Sequence, residues 1–115
     1  MPKFHETESG SISLMDNGRE FELLFNNFRL QLSARSLSHL EQHLEELDYS
    51  SAMFKPEDRC FEVNFASCRF SLLFNYFEIV ELMELVDEGL AWHSVDSLLH
   101  GLGVAPSFNS QEPFA

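Results

Sequence analysis

Residues 21–47, FELLFNNFRLQLSARSLSHLEQHLEEL, decide the fold. A two-residue loop at Asn26-Asn27 would set Phe25 against Phe28, Leu23 against Leu30 and Phe21 against Leu32. Glu22, Arg29 and Gln31 then share the opposite face, which is the half-buried alternation of an antiparallel sheet. Ser33 follows with almost no loop, and its hydroxyl can accept from a free N–H of a first helical turn. Leu37, Leu40, Leu44 and Leu47 form one apolar stripe on a helix that turns about 100° per residue. Glu41, Gln42 and Glu45 fall on its wet side. The stretch reads as strand, strand, helix.

Working outward, the plan recurs at 61–88, FEVNFASCRFSLLFNYFEIVELMELVDE. A shift of 40 residues superimposes Phe21 on Phe61, Phe25 on Phe65 and Leu32 on Leu72; a shift of 42 aligns Ser33 with Asn75 and Leu40 with Leu82. The second loop is expected at Ala66-Ser67, returning Cys68, Phe70 and Leu72 to the face of Phe61, Val63 and Phe65. Asn75 and Glu78 have the spacing of a capping box. Upstream, Asn17-Gly18 is a strong hairpin signal that sets Leu14 opposite Phe21 and Ile12 opposite Leu23.

The expected fold is therefore α+β in two layers: duplicated ββα units (21–47 and 61–88) in one five-stranded, mostly antiparallel sheet, with both helices on one face. One domain spans 11–100, with 1–10 and 101–115 as flexible or loosely docked termini. Residues 48–59 connect the units, with Met53 and Phe54 tucked beneath. Gly89 is expected to end the second helix. A short helix capped by Ser94 then presents Val95, Leu98 and Leu99, and Phe108 and Phe114 lie in the tail.

Composition narrows the function. The chain has 115 residues, enough for one core, and twelve Phe against one Trp and two Tyr. Nineteen acidic against seven basic residues give a net charge of −12, a field that repels nucleic-acid phosphates and anionic membrane surfaces. No apolar run approaches the roughly 18 residues a membrane span needs, and no leader pattern opens the sequence. Cys60 and Cys68 have no zinc spacing, and the expected register points them to opposite faces, with Cys68 in the core. A reduced cytoplasmic protein is the simplest reading.

No pattern of residues assembles a catalytic centre. The serines lack a nucleophile elbow, Gly101-Leu102-Gly103 lacks the strand and helix of a phosphate loop, and the pairs Glu45/Glu46 and Glu81/Glu84 fall on faces expected to be solvated. His39 and His43 are one turn apart and could share a metal; HLEQH places its glutamate one position too late for a metalloprotease. An exposed polar helix flank explains these residues as well. No cofactor is implied.

The second helix is apolar nearly all round, so it is buried on more than one side. Phe77 and Leu85 project among Glu78, Glu81, Glu84 and Glu88, and with Phe74, Leu24 and Leu73 they form a candidate interface of apolar anchors ringed by charge. The competing explanation is that Trp92, Leu98 and Leu99 cover them within one chain.

The run FNNFRLQLSARSLSHLEQHLEEL, residues 25–47, resembles small bacterial proteins of unknown function in which a strand of the form LxLxLS leads straight into an amphipathic helix. The resemblance covers the central two-thirds of the chain. It implies a bacterial, cytoplasmic ββα protein and, since its motif carries no catalytic residue, no activity. The expected function is a non-enzymatic interaction module, a homodimer or the partner of another protein, built around the second helix. The alternative is a small-molecule or metal-binding protein using the sheet–helix cleft or His39/His43.

Overall fold

The structure, a computed structural model, describes residues 3–15, 18–49, 55–65 and 69–101, the side chains at 3–4 and 96–101 excepted. Asn17, Met53, Phe54, Cys68, Phe108 and Phe114, and the side chains of Leu98 and Leu99, lie outside the described residues.

Strands β1 (Lys3–Glu6), β2 (Gly10–Leu14), β3 (Glu20–Phe25) and β4 (Phe28–Ser33) form a four-stranded antiparallel sheet in that order. Helix α1 (Ala34–Glu45) follows at once, with the Ser33 hydroxyl accepting from the Ser36 N–H at 3.1 Å. Strands β5 (Phe61–Phe65) and β6 (Phe70–Phe74) form a separate hairpin that leads into α2 (Tyr76–Gly101).

The decisive stretch folds as its pattern demands. Leu14, Phe21 and Leu32 make one row across the sheet, and Ile12, Leu23 and Leu30 the next; Phe25 faces Phe28. Asn26 turns the chain at φ 51°, a conformation that asparagine tolerates better than most side chains. These rows are buried against Leu37, Leu40 and Leu44 of α1 and Ile79, Leu82, Leu85 and Val86 of α2. Helix α2 packs across β1, β2 and β3, and α1 against β3, β4 and β5. The helices run antiparallel, since Gly89 meets Leu37 while Tyr76 meets Tyr49.

Five sequence expectations change. The single five-stranded sheet becomes a sheet of four and a hairpin of two, and among the described residues no strand pairing joins them. What joins them is aromatic: Phe28 meets Phe65 edge-on at 5.9 Å, and Phe74 meets Phe25 at 5.8 Å. Much of the phenylalanine surplus is spent here, at about 0.5–1.5 kcal/mol per ring pair beyond burial. Second, the supposed lead-in supplies β1, a short charged edge strand that pairs on one side only and so carries no amphipathic signature.

Third, β5 ends at Phe65 and β6 begins at Phe70, so four residues separate the paired strand ends where two were expected, and Arg69, at φ 60°, donates its N–H to the Phe65 carbonyl at 2.9 Å. Phe65 therefore pairs with Phe70 and Phe61 with Phe74. The inward parity survives one step further, which buries Phe74 instead of leaving it near a surface.

Fourth, Gly89 does not end the helix. A Cβ there would lie 2.6 Å from Ile12 Cδ1 and 3.1 Å from Leu37 Cδ2, so glycine serves close packing and α2 continues to Gly101 as one helix. Fifth, Leu85 is fully buried against the sheet side of the molecule, one turn from Leu82 and Gly89, and does not project among the glutamates.

Candidate functional site

The start of α2 carries a dense cluster of specific side-chain bonds. Asn75 and Glu78 cap the helix reciprocally: the Asn75 N–H donates to Glu78 Oε1 and the Glu78 N–H to Asn75 Oδ1, both at 2.8 Å. Arg59 adds a two-pronged contact to the same carboxylate, Nε to Oε1 at 3.2 Å and Nη2 to Oε2 at 2.8 Å. The Asn26 amide donates to Oε2 at 3.1 Å. Burial alone would raise the Glu78 pKa, but the Arg59 bond, the Asn75 N–H, the Asn26 amide and the Arg59 charge together hold it below the usual carboxylate value.

One turn on, Glu81 accepts from the Ser9 N–H and hydroxyl, both at 2.9 Å. Burial again pushes its pKa up, and the bonds from Thr7 and Ser9 bring it below the ordinary value despite the Glu78 charge nearby. Glu84 then meets the His5 ring. Glu78, Glu81 and Glu84 thus tie α2 to the β3–β4 turn, the β1–β2 turn and β1 in succession. The capping box expected at Glu78 is present and Glu84 stays half-exposed, whereas Glu81, expected to be solvated, is bonded to the turn; its spacing of three from Glu78 was the available signal, since it keeps both along one flank of the buried stripe.

Beside this row lies an apolar surface. Phe77 is 59% and Val80 49% exposed, with the Tyr76 ring 6.4 Å from that of Phe77. Tyr49, Tyr76, Ile79, Val80 and Met83 line a groove of about 290 Å³ between α2 and the chain leaving α1. The Tyr49 hydroxyl donates to the Leu44 carbonyl and fixes that wall. Burial, then Tyr76, raises the Tyr49 pKa.

The candidate interface residues do not converge. Phe77 belongs to this surface. Leu73, 56% exposed, opens onto a different hollow of about 410 Å³ with Asn26, Asn27 and Arg59. Leu24 alternates with buried Leu23 and Phe25 and so points to the helix-free face of the sheet. Phe74 and Leu85 are inside the core.

His39 and His43 line a hollow of about 430 Å³ with Leu32, Ser36, Leu40, Asn64 and Phe65. His43 Nε2 accepts from the Asn64 N–H of β5 at 3.0 Å, which leaves the ring proton on Nδ1 and no free lone pair for a metal. Among the described residues no three His, Cys, Asp or Glu side chains are placed to hold a metal ion. No helix among them is long and apolar enough to cross a membrane.

Glu41 faces Asp87 across the seam of the two helices. The bond to Asp87, then burial, then the charges of Asp87 and Glu45 raise its pKa from the ordinary 4.5 to about 7.

The fold and site together define a small α+β protein with a carboxylate-anchored helix that presents an apolar surface. Over residues 2–99 the chain matches the model of DUF6686, a family of unknown function, and it belongs to that family. The match takes in β1 and nearly all of α2. No curated protein and no solved structure matches the chain.

Proposed function

We propose that this protein is a non-enzymatic protein-interaction module of the cytoplasm whose contact surface is the first half of α2. One observation carries the reading: Phe77 and Val80 stand exposed one turn apart on a helix whose other face is core and whose flank is already bonded to the sheet. Such a helix is rigid before it binds, so docking an aromatic anchor there costs little ordering. Truncating a buried aromatic anchor typically costs 2 kcal/mol or more of binding, about thirtyfold in affinity.

The test is Phe77→Asp. The variant should melt within about 3 °C of wild type, since the side chain is exposed. It should also lose a complex that wild type forms, with itself or with another chain, as read by absolute mass in solution and by retention of cytoplasmic proteins. Identical mass and identical retained proteins for the two would overturn the reading.

A second reading rests on the hollow beneath His39, large enough for a small ligand and walled by Leu32, Leu40 and Phe65. Its metal version is disfavoured because His43 is committed to Asn64. Zinc or nickel should leave the melting temperature unchanged; a rise that grows with metal concentration would revive it.

A further inference from the structure

The interaction reading leaves open what fills the groove between Tyr49, Val80 and Met83, and charge decides it. Asp87 lies one helical turn beyond Met83 on the same face of α2. Glu41 of α1 stands beside it, Glu45 lies one turn along α1 from Glu41, and the charged groups that act on Glu41 are both acidic. The apolar groove therefore runs toward an end where, among the described residues, the charges acting on Glu41 are acidic. Two of the basic side chains are engaged elsewhere: Arg59 serves Glu78, and Arg29 faces Glu22 at 3.5 Å.

A second copy of this chain suits that groove poorly. It would bring another net charge of −12 against the acidic end, with seven Lys and Arg in the whole chain and Arg29 and Arg59 among them already engaged. We propose that the groove receives a basic segment of a different protein, with an apolar anchor between Tyr49, Val80 and Met83 and a Lys or Arg about one turn away against Glu41 and Asp87. This rests on the reading of α2 as an interaction surface and names the class of its partner. The arrangement gives the partner a direction: anchor toward the start of α2, cation toward Gly89.

The arrival of a cation has a measurable local effect. The bond to Asp87, burial and the acidic charges beside it keep the Glu41 proton in place to about pH 7. A lysine or arginine beside it favours the charged form, so binding near neutral pH should release protons.

The experiment uses the full chain and two labelled amphipathic peptides. One carries a leucine face flanked by lysines; in the other every lysine is glutamate. Fluorescence anisotropy should show the lysine peptide binding and the glutamate peptide not. Val80→Asp should weaken the lysine peptide at least about tenfold, and Glu41→Gln with Asp87→Asn severalfold. Val80→Asp adds a negative charge, so diffuse attraction to an acidic protein would be kept or strengthened by it. Binding that survives Val80→Asp, or that ignores the sign of the peptide charge, overturns the proposal.

Two further outcomes separate this inference from the reading beneath it. If wild type is a concentration-dependent dimer that Val80→Asp turns into a monomer, a second copy fills the groove; the basic partner falls and the interaction module stands. If neither peptide binds, and wild type and Phe77→Asp agree in mass and retained proteins, both fall.

Discussion

The two hairpin–helix units invite comparison, because similar sequence patterns end in different structures. In the first, β3 and β4 turn in two residues inside a four-stranded sheet, and one serine caps a 12-residue helix. In the second, β5 and β6 stand alone, the loop is longer, and the cap of a 26-residue helix is one carboxylate bonded to Asn75, Arg59 and Asn26. A two-stranded hairpin is marginal by itself. The first unit draws its stability from neighbouring strands. The second borrows it, through phenyl rings and through Glu78.

The difference predicts unequal sensitivity. Glu78→Ala should cost about 2 kcal/mol in urea unfolding, because it removes a reciprocal cap and takes the acceptor from the Asn75 N–H, while exposed Arg59 returns to water. Its acid limb should also flatten. A carboxyl whose pKa is lowered on folding stabilises above its unfolded pKa, and that contribution fades as pH falls through the folded one. If Glu78→Ala and Ser33→Ala cost the same, the two units are held alike and the contrast fails.

Gly89→Ala tests the packing of the longer helix. At an ordinary helix interior this exchange stabilises by about 1 kcal/mol. Here the added methyl meets buried Ile12 and Leu37, so a net loss of about 1–2 kcal/mol is expected. A gain in melting temperature would mean that the helices have room to part.

Ser33→Ala should cost about 1 kcal/mol, the ordinary value of a single serine cap. Smallest of all is Glu41→Gln, with the opposite sign. Glu41 has a raised folded pKa, so what it contributes is complete below about 4.5 and lost as pH rises through about 7. At pH 8 the variant should gain about 0.5 kcal/mol after solvent screening, and the gain should vanish near pH 5. A gain that persists at pH 5 would place the effect outside the Glu41–Asp87 pair.

The legible parts of the fold were those where local pattern and tertiary burial agree. Period-two alternation set Leu14 opposite Phe21 and Leu23 opposite Leu30, since a one-residue slip would send every apolar side chain to water. Where a residue's role lies in a distant partner, the pattern was silent. Gly89 reads as a terminator until Ile12, 77 positions earlier, is found against it. Leu85 reads as lying on the charged side because Glu81 reads as solvated, whereas Glu81 is bonded to the β1–β2 turn and Leu85 is buried. At the candidate surface, Phe77 was readable from its place among acids. Val80 and Met83 carry no such mark on a helix apolar nearly all round, and Tyr49 only becomes a groove wall once α1 and α2 lie side by side.

The contact of Gly89 with Ile12 has a consequence for synthesis. The four-stranded sheet is complete at Ser33, while the helix that covers β1 and β2 begins at Tyr76 and reaches Ile12 only at Gly89. At about 5–20 residues per second a ribosome takes roughly 3–11 s to make the chain between Ser33 and Gly89. For that interval Ile12 and Leu14 lack the cover of α2, and a nascent chain paused there would be a client for whatever in the cell binds exposed apolar strands.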